Sequence, residues 1–562
     1  MSFFAELKRR HVVQVGIAYL VIAWGIAQVA ELVLDTFETP PWLMQLLLVI
    51  LACGLPVALI LAWLYTLRAG KLQRETEQPE AAASAVNEGS AARHTAEHES
   101  IAVLPFVNMS SDPEQDYFSD GIAEELLNLL AKIPELRVAA RTSAFSFKGK
   151  NVEIPEIAQR LQVAHVLEGS VRKAGNRIRI TAQLIKADDG YHLWSETWDR
   201  TLEDIFAVQD EIAAEVVQQL KLTLLKTTPT TEETNPEAYA LYLQARHLTR
   251  MKTATGYEQA LALLERVLSI APDYAPAWAE RANVYNKQVS YGSLPCEEGC
   301  ALAREAAMRA LSIDPECAQA HAELGYAAIS MDRDFAVATR HILAALASDP
   351  RDLDILAYAA LVALNMRRFD TAKDLYEYLI ARDPVNPFTR VSLGHMLYCS
   401  GDLDSAIEQW RTALRLSPGQ MGTWMSIAVA QLQQGNIAAA LESSERENDE
   451  AYRHGAHAVI YFEKGEREKA DAALAYLIEN NYQEASYNIA YILAYRGEMD
   501  RAFEWLEKAL YYHDSGLTQI NIEPLAENLR KDSRWDAFIT RAGIAPHDLD
   551  AIEFDVKPPV RG

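Results

Sequence analysis

The sequence predicts a multidomain protein: a two-helix transmembrane hairpin, an α/β domain, and an all-α solenoid of repeated helix pairs. Three observations carry this. Pro315, Pro350, Pro384 and Pro418 close segments ending IDP, SDP, RDP and LSP at intervals of 35, 34 and 34 residues, the period of stacked helical hairpins. Two apolar runs near the start are each long enough to cross a bilayer. Between runs and repeats, short alternating segments are interleaved with helical ones.

The membrane hairpin is assigned to residues 1–74, with spans at about 12–34 and 42–67. Lys8, Arg9 and Arg10 precede the first run and Arg68, Lys71 and Arg74 follow the second, while the turn 35–41 carries Asp35 and Glu38 and no basic residue. Basic residues stay on the cytoplasmic side. The expected address is therefore a bacterial inner membrane, multi-pass, with the large soluble part in the cytoplasm. A cleaved leader fits less well, because no small-x-small site followed by a polar segment separates the two runs. Residues 75–99 hold Val86 as their only large aliphatic side chain and are expected to be a flexible linker.

Residues 100–222 read as the α/β domain. Strands are expected at 101–106, 136–140, 164–173, 177–187 and 191–200, and helices at 154–161 and 202–222. Asp120 is expected to cap a helix over the following residues. Ile178, Ile180, Ala182 and Leu184 alternate with Arg177, Arg179, Thr181 and Gln183, the pattern of a half-buried strand.

The solenoid is assigned to 235–516. With each closing proline as position 32, small residues recur at position 8 (Ala282, Gly325, Ala360, Gly394, Ala428) and at position 20 (Ala303, Ala338, Ala372, Ala406, Ala440). Paired helices approach closely at such positions. A first unit ends at Pro272. Two later units lack the proline but keep Ala458 with Ala470 and Ala490 with Ala502, which makes about eight hairpins. The 43-residue interval from Pro272 to Pro315 predicts an insertion over 290–299. Residues 517–562 read as a closing helical cap with a polar tail.

These residues carry two resemblances. The register, with Trp278 and Trp424 at its large position and Tyr285 at an aromatic one, resembles the tetratricopeptide repeat. The runs SIAVLPFVNMSSDPEQDYFSDGIAEEL, VLEGSVRKAGNRIRITAQLI and DGYHLWSETWDR resemble the TolB amino-terminal-like domain. The opening MSFFAELKRRHV and the double apolar hairpin look like a group of bacterial inner-membrane proteins that join the two modules. In relatives the pair is sometimes carried with an adenylate cyclase domain or a winged-helix DNA-binding domain. About ten residues precede the expected first span, too few for either, so neither is expected here.

The function implied is that of a membrane-anchored scaffold that recruits a protein or peptide. In this repeat class the first helix of each pair lines the concave wall, which singles out Asn283, Asn286 and Lys287 in the second unit and Phe388, Val391, His395, Tyr398 and Cys399 in the fifth. The bland alternative is that these side chains pack within the superhelix or on the α/β domain. A different class of function is a sensory or regulatory component related to cyclase or winged-helix regulator proteins.

Charge argues against nucleic acid. The chain carries a formal charge of −25, and the first 74 residues hold six basic against four acidic side chains, leaving 47 against 74 for the remainder. Such a body repels phosphate backbones. No phosphate-binding glycine loop, nucleophile elbow or HExxH motif is present, so an enzyme and a cofactor are not expected. Asp112, Glu114 and Asp116 alternate as calcium ligands do, but Tyr117 stands where the loop needs glycine. Cys296 and Cys300 lack a second pair at zinc spacing, and residues four apart on a helix suit a disulfide poorly. No metal is expected. His165 and His192 fall on predicted strands, where a lone histidine is usually structural.

Overall fold

The computed structural model describes residues 51, 65–68, 71–74 and 100–559, except 111, 113, 114, 134, 189, 221–233 and 292. The chain forms two compact units, Met1–Thr95 and Ala96–Gly562. In the first, β1 (Tyr65–Arg68) pairs antiparallel with β2 (Lys71–Arg74), with Tyr65 opposite Arg74. The predicted second span reaches into β1. Its last residues, Tyr65 to Leu67, lie in a strand, as suits an aromatic and a β-branched residue ahead of the Ala69-Gly70 turn sequence. Apart from helical Leu51, the rest of both predicted spans and the predicted linker, to residue 99, lie outside the described residues. No helix among the described residues is long and apolar enough to cross a membrane.

The second unit opens with a sheet ordered β5-β3-β6-β7-β8, with β4 also on β6. The strands are β3 (Ser100–Val103), β4 (Val107–Asn108), β5 (Arg137–Val138), β6 (His165–Ala174), β7 (Arg177–Lys186) and β8 (His192–Thr201). β3 runs parallel to β5 and β6, and β6, β7 and β8 form an antiparallel meander. Apolar alternation puts Ile178, Ile180, Ala182 and Leu184 on the face covered by helices Asp116–Ala131 and Ile205–Gln219. The short helices Arg141–Phe145 and Ile154–Leu161 seal a smaller core on Ala102, Leu104 and Val166 of the other face. Asp120 is not a cap: its helix begins four residues earlier, at Asp116, and Asp120 is buried within it, its carboxylate 2.6 Å from Lys148 Nζ.

Eight antiparallel helix pairs follow among the described residues: Pro236–Arg250 with Ala254–Ile270, Ala275–Ser290 with Cys296–Ile313, Ala318–Ala327 with Phe335–Ser348, Leu353–Asn365 with Phe369–Arg382, Pro387–Cys399 with Leu403–Leu416, Thr423–Gln433 with Ile437–Ser444, Glu450–Glu463 with Arg467–Asn480, and Ser486–Tyr495 with Met499–Tyr511. The alanines of both repeat positions are buried in the seams. At Gly394 a β-carbon would come within 2.6 Å of the Trp410 indole, so only hydrogen lets that ring into the seam. Half of the predicted insertion is helix: the first helix of the second pair runs to Ser290 and its second begins at Cys296. The 35-residue interval has its own explanation. Residues Ala328–Asp332 wind as a π-turn, which takes up one extra residue per turn.

Two contacts depart from a free-standing ribbon. The core under the α/β sheet continues into the first hairpin through Tyr239, Tyr242, Leu243 and Tyr257, and a β-carbon on Gly121 would meet Leu243 at 2.8 Å. The segment after Tyr511 does more than cap the end. Its turns and helices Trp535–Arg541 and Pro546–Asp550 bury Leu517, Ile520, Leu525, Leu529, Trp535 and Phe538 in the core of the later hairpins. Asn528 donates to Ala494 O of the eighth pair (3.0 Å), Arg368 beside the fourth to Phe554 O (3.0 Å), and Arg333 beside the third to Ala542 O (3.3 Å).

Candidate functional site

The first helix of each pair supplies the candidate wall, and its two predicted stretches differ. In the second pair, Asn286 is buried and donates to Glu323 of the third, at 3.1 Å to the carbonyl and 2.8 Å to the carboxylate. Asn283 donates to Glu280 Oε2 (3.2 Å), which Gln319 also reaches (3.0 Å). Lys287 Nζ lies 3.5 Å from the Tyr358 hydroxyl of the fourth pair, and the Tyr326 and Tyr358 rings are 5.3 Å apart. Burial pushes the Glu323 carboxyl up to about 7, against the pull of Lys287 and Asn286. Lys287 is held above its ordinary range, first by Tyr358 and then by Glu323 and Asp354. Hairpins two to four thus share one polar and aromatic network.

In the fifth pair, Phe388 is 45% exposed, and Lys252 from the turn of the first hairpin sits 3.8 Å over its ring. This cation–π contact shows how far the array curves, since it joins hairpins one and five. Val391 packs half-buried on the core, and its carbonyl accepts from Trp410 Nε1 (3.1 Å). His395 Nε2 lies 2.9 Å from Gln519 Oε1, with Cys399 Sγ at 3.6 Å, and burial pushes the imidazole pKa down. Tyr398 is buried; its hydroxyl donates to Glu523 Oε1 (3.0 Å) and accepts from Gln433 (3.0 Å). Gln519 and Glu523 belong to the C-terminal segment, so His395 and Tyr398 face residues of their own chain.

A second charged cluster joins the α/β domain to the array. Glu124, almost wholly buried, receives Arg141 Nε at 2.7 Å together with Arg246 and Arg250 of the first hairpin; Arg246 also pairs with Glu125. The three guanidiniums overcome burial and hold the Glu124 carboxyl at about 2. Farther along, Ser143 Oγ donates to Asp383 (2.6 Å), Ala140 N to Arg382 O (3.1 Å) and Arg351 to Ile133 O (3.0 Å). The α/β domain therefore touches the first hairpin and the turns before and after the fourth.

Sequence reasoning missed Lys252, Tyr326 and Tyr358 on the wall, and Glu124 with its arginines. The turn residue Lys252 falls outside the helix positions used to find the wall, and the arginines of the first hairpin lie more than a hundred residues from Glu124. Among the described residues no three His, Cys, Asp or Glu side chains converge as a metal site. Asp116, one of the three alternating carboxylates, accepts from Asn108 (2.9 Å) and lies near Lys148. His165 is buried with Nδ1 3.3 Å from Ser100 O, and His192 is exposed on β8.

Comparison with known proteins assigns the parts separately. Residues 392–451 and 456–516 match the tetratricopeptide repeat family, so the later hairpins are tetratricopeptide repeats. Residues 96–215 match the family described as HilA/YgeH-like transcriptional regulator, second domain. The chain is 48% identical over 184 residues to "Putative adenylate cyclase 3" of Rhizobium meliloti (strain 1021), a match covering 32% of this chain and 31% of that protein. The chain thus spans about a third of the length of the curated relative it matches. Similar solved structures include PilW, a widely conserved type IV pilus biogenesis factor (20% identity, 38% of this chain and 93% of that one, TM-score 0.32). Others are the human IFIT1 dimer with m7Gppp-AAAA (15%, 54% and 77%, 0.35) and a thermophilic tetratricopeptide repeat protein of Thermus thermophilus (21%, 34% and 97%, 0.29).

Proposed function

We propose that this chain is a membrane-anchored scaffold that recruits a protein or peptide through the inner wall of its first five hairpins and has no enzymatic activity of its own. Tetratricopeptide repeats are protein-binding arrays, and one observation selects the wall: His395 and Tyr398 are covered by the C-terminal segment, whereas Phe388 stays half-exposed beside Lys252. An aromatic ring next to a cation on a curved helical surface suits an extended peptide or an amphipathic helix. The anchor is the pair of apolar runs at 12–34 and 42–67, in a bacterial inner membrane with the folded part in the cytoplasm, as the flanking basic residues support.

The test is capture of partners by the full chain in detergent, compared with a Phe388→Ala, Lys252→Ala double variant. Loss of a specific partner at unchanged melting temperature is the expected result; undiminished capture would exclude this wall. An alkaline phosphatase fused after Gly562 is expected to be inactive, and activity would reverse the orientation.

A second reading is favoured by the name of one relative, "Putative adenylate cyclase 3", and by the matching family, the second domain of HilA/YgeH-like transcriptional regulators. In it the α/β domain, of TolB amino-terminal-like kind, senses a ligand or an envelope state and passes the signal to the array through the Glu124 cluster. Arg250→Gln separates the two: a scaffold keeps its partner, whereas a sensor loses its response to stimulus.

A further inference from the structure

The connection inside the second hairpin brings two thiols together. Cys296 is the first residue of helix Cys296–Ile313 and half-buried; Cys300, one turn on, is fully buried; and their sulphurs are 3.9 Å apart. We propose that Cys296 and Cys300 form a peroxide-sensitive dithiol, with Cys296 as the attacking sulphur and Cys300 as the resolving one.

The two sulphurs differ in ways that assign these roles. Cys296 lies at the amino end of a long helix, where peptide N–H groups without intrahelical acceptors favour an anion, although Glu297 and Glu298 share that turn. An independent feature stands beside it. Arg333, at positive φ after the π-turn, is more than nine-tenths buried, and its Nη1 has no hydrogen-bond partner among the described residues. Its charge favours a thiolate at Cys296, and neighbouring Asp332 opposes this. The hydrogen bond between the two sulphurs is the largest influence, burial opposes it, and the balance leaves Cys296 below the ordinary thiol range. That same bond and burial push Cys300 up. One sulphur is thus poised to ionise while its neighbour keeps a proton, the asymmetry of an attacking and resolving pair.

The chemistry balances with a hydroperoxide as oxidant. The Cys296 thiolate attacks one peroxide oxygen, an S–O bond forms as the O–O bond breaks, and with hydrogen peroxide the leaving hydroxide takes a proton and departs as water. The Cys300 sulphur then attacks the sulfenic sulphur, the S–O bond breaks, and hydroxide leaves with the Cys300 proton as a second water. Two thiols have become a disulfide and the peroxide has been reduced. A regular helix keeps β-carbons four residues apart farther than a disulfide tolerates. The first turn must therefore open, which is cheapest at a terminal residue next to a connection.

The experiment treats the full chain with one equivalent of hydrogen peroxide, blocks remaining thiols with iodoacetamide and digests with trypsin. Residues 288–304 form one peptide holding both cysteines and no other. The expected product is that peptide two hydrogens lighter and without alkylation, while Cys317 and Cys399 are alkylated. In Cys300→Ser, dimedone should trap a sulfenic acid on Cys296; in Cys296→Ser no adduct should form on Cys300. Without peroxide, Cys296 should alkylate about tenfold faster than Cys317 at neutral pH, and Arg333→Lys should preserve that difference. Recovery of the peptide with both thiols alkylated would overturn the proposal. So would a dimedone adduct on Cys296 of the unaltered chain with no bridge, or oxidation at Cys317 and Cys399 to the same extent. Melting temperatures of the serine variants, expected to be unchanged, show that each compares folded protein.

Discussion

Two seams close this molecule on itself, and they are built from opposite electrostatics. At the joint between the α/β domain and the first hairpin, Glu124 is ionised among three arginines and its carboxyl is held at about 2. At the seam under the C-terminal segment, burial instead pushes carboxyl groups up: Asp514 to about 6, and Glu523 upward against its bonds from Leu525 N and Tyr398. A buried charge is tolerable where opposite charges surround it, and otherwise the group keeps its proton. The first seam draws stability from ionisation that is complete above the ordinary carboxylate range and lost as pH falls toward 2. The second draws it from protonation that is complete below that range and, at Asp514, lost as pH rises through about 6, with Glu523 acting in the same direction. Acid loosens one and neutrality loosens the other.

The sharpest way to break the contrast is Glu124→Ala, which leaves three partly buried guanidiniums without their shared acceptor. A loss of about 3–5 kcal/mol in denaturant unfolding is expected, and a loss under about 1 kcal/mol would show that solvent replaces the carboxylate. At the other seam, Tyr398→Phe removes one hydroxyl that serves both Glu523 and Gln433 and is expected to lose about 1–3 kcal/mol, measured at pH 5, below the value of about 6 to which burial raises Asp514.

How much of this was legible in the sequence follows from the range of each interaction. Position 8 and position 20 alanines report a contact between helices a few residues apart, so the hairpins could be counted from periodicity alone. Strands β6 to β8 were readable for the same reason, their partners being joined by short turns. The C-terminal segment was not. Leu517, Ile520, Leu525 and Trp535 recur with no period, and nothing local says that they lie on a wall more than a hundred residues upstream. His395 and Tyr398 were placed on the wall by position, but only tertiary structure shows what faces them.

The pH argument gives a finer test. Hydrogen exchange of amides in 515–556, corrected for intrinsic rates, is expected to show protection falling between pH 5 and 8. The Tyr487 hydroxyl lies 3.4 Å from Glu523 Oε2, so in Glu523→Gln that fall should flatten: the amide oxygen still accepts from Tyr398 and Leu525 N while its NH2 donates to that hydroxyl. Equal slopes in both proteins would remove Glu523 as a cause. The smallest effect is expected at Phe388→Ala, within about 0.5 kcal/mol of the parent, as for exposed side chains generally. A larger loss would mean that the contact with Lys252 is structural and that hairpins one and five are clamped together.

The π-turn at Ala328–Asp332 shows how an array of this kind absorbs a change in chain length. A single surplus residue is swallowed as a bulge at the end of one helix, so every later seam keeps its phase. The residue just past the bulge, Arg333, is swung into the interior, where it grips Ala542 O. Such an accident of length can leave the ribbon unaltered and still hand it a new inward-pointing side chain, so repeats whose spacing slips by one are the natural places to look for residues that have acquired a private role.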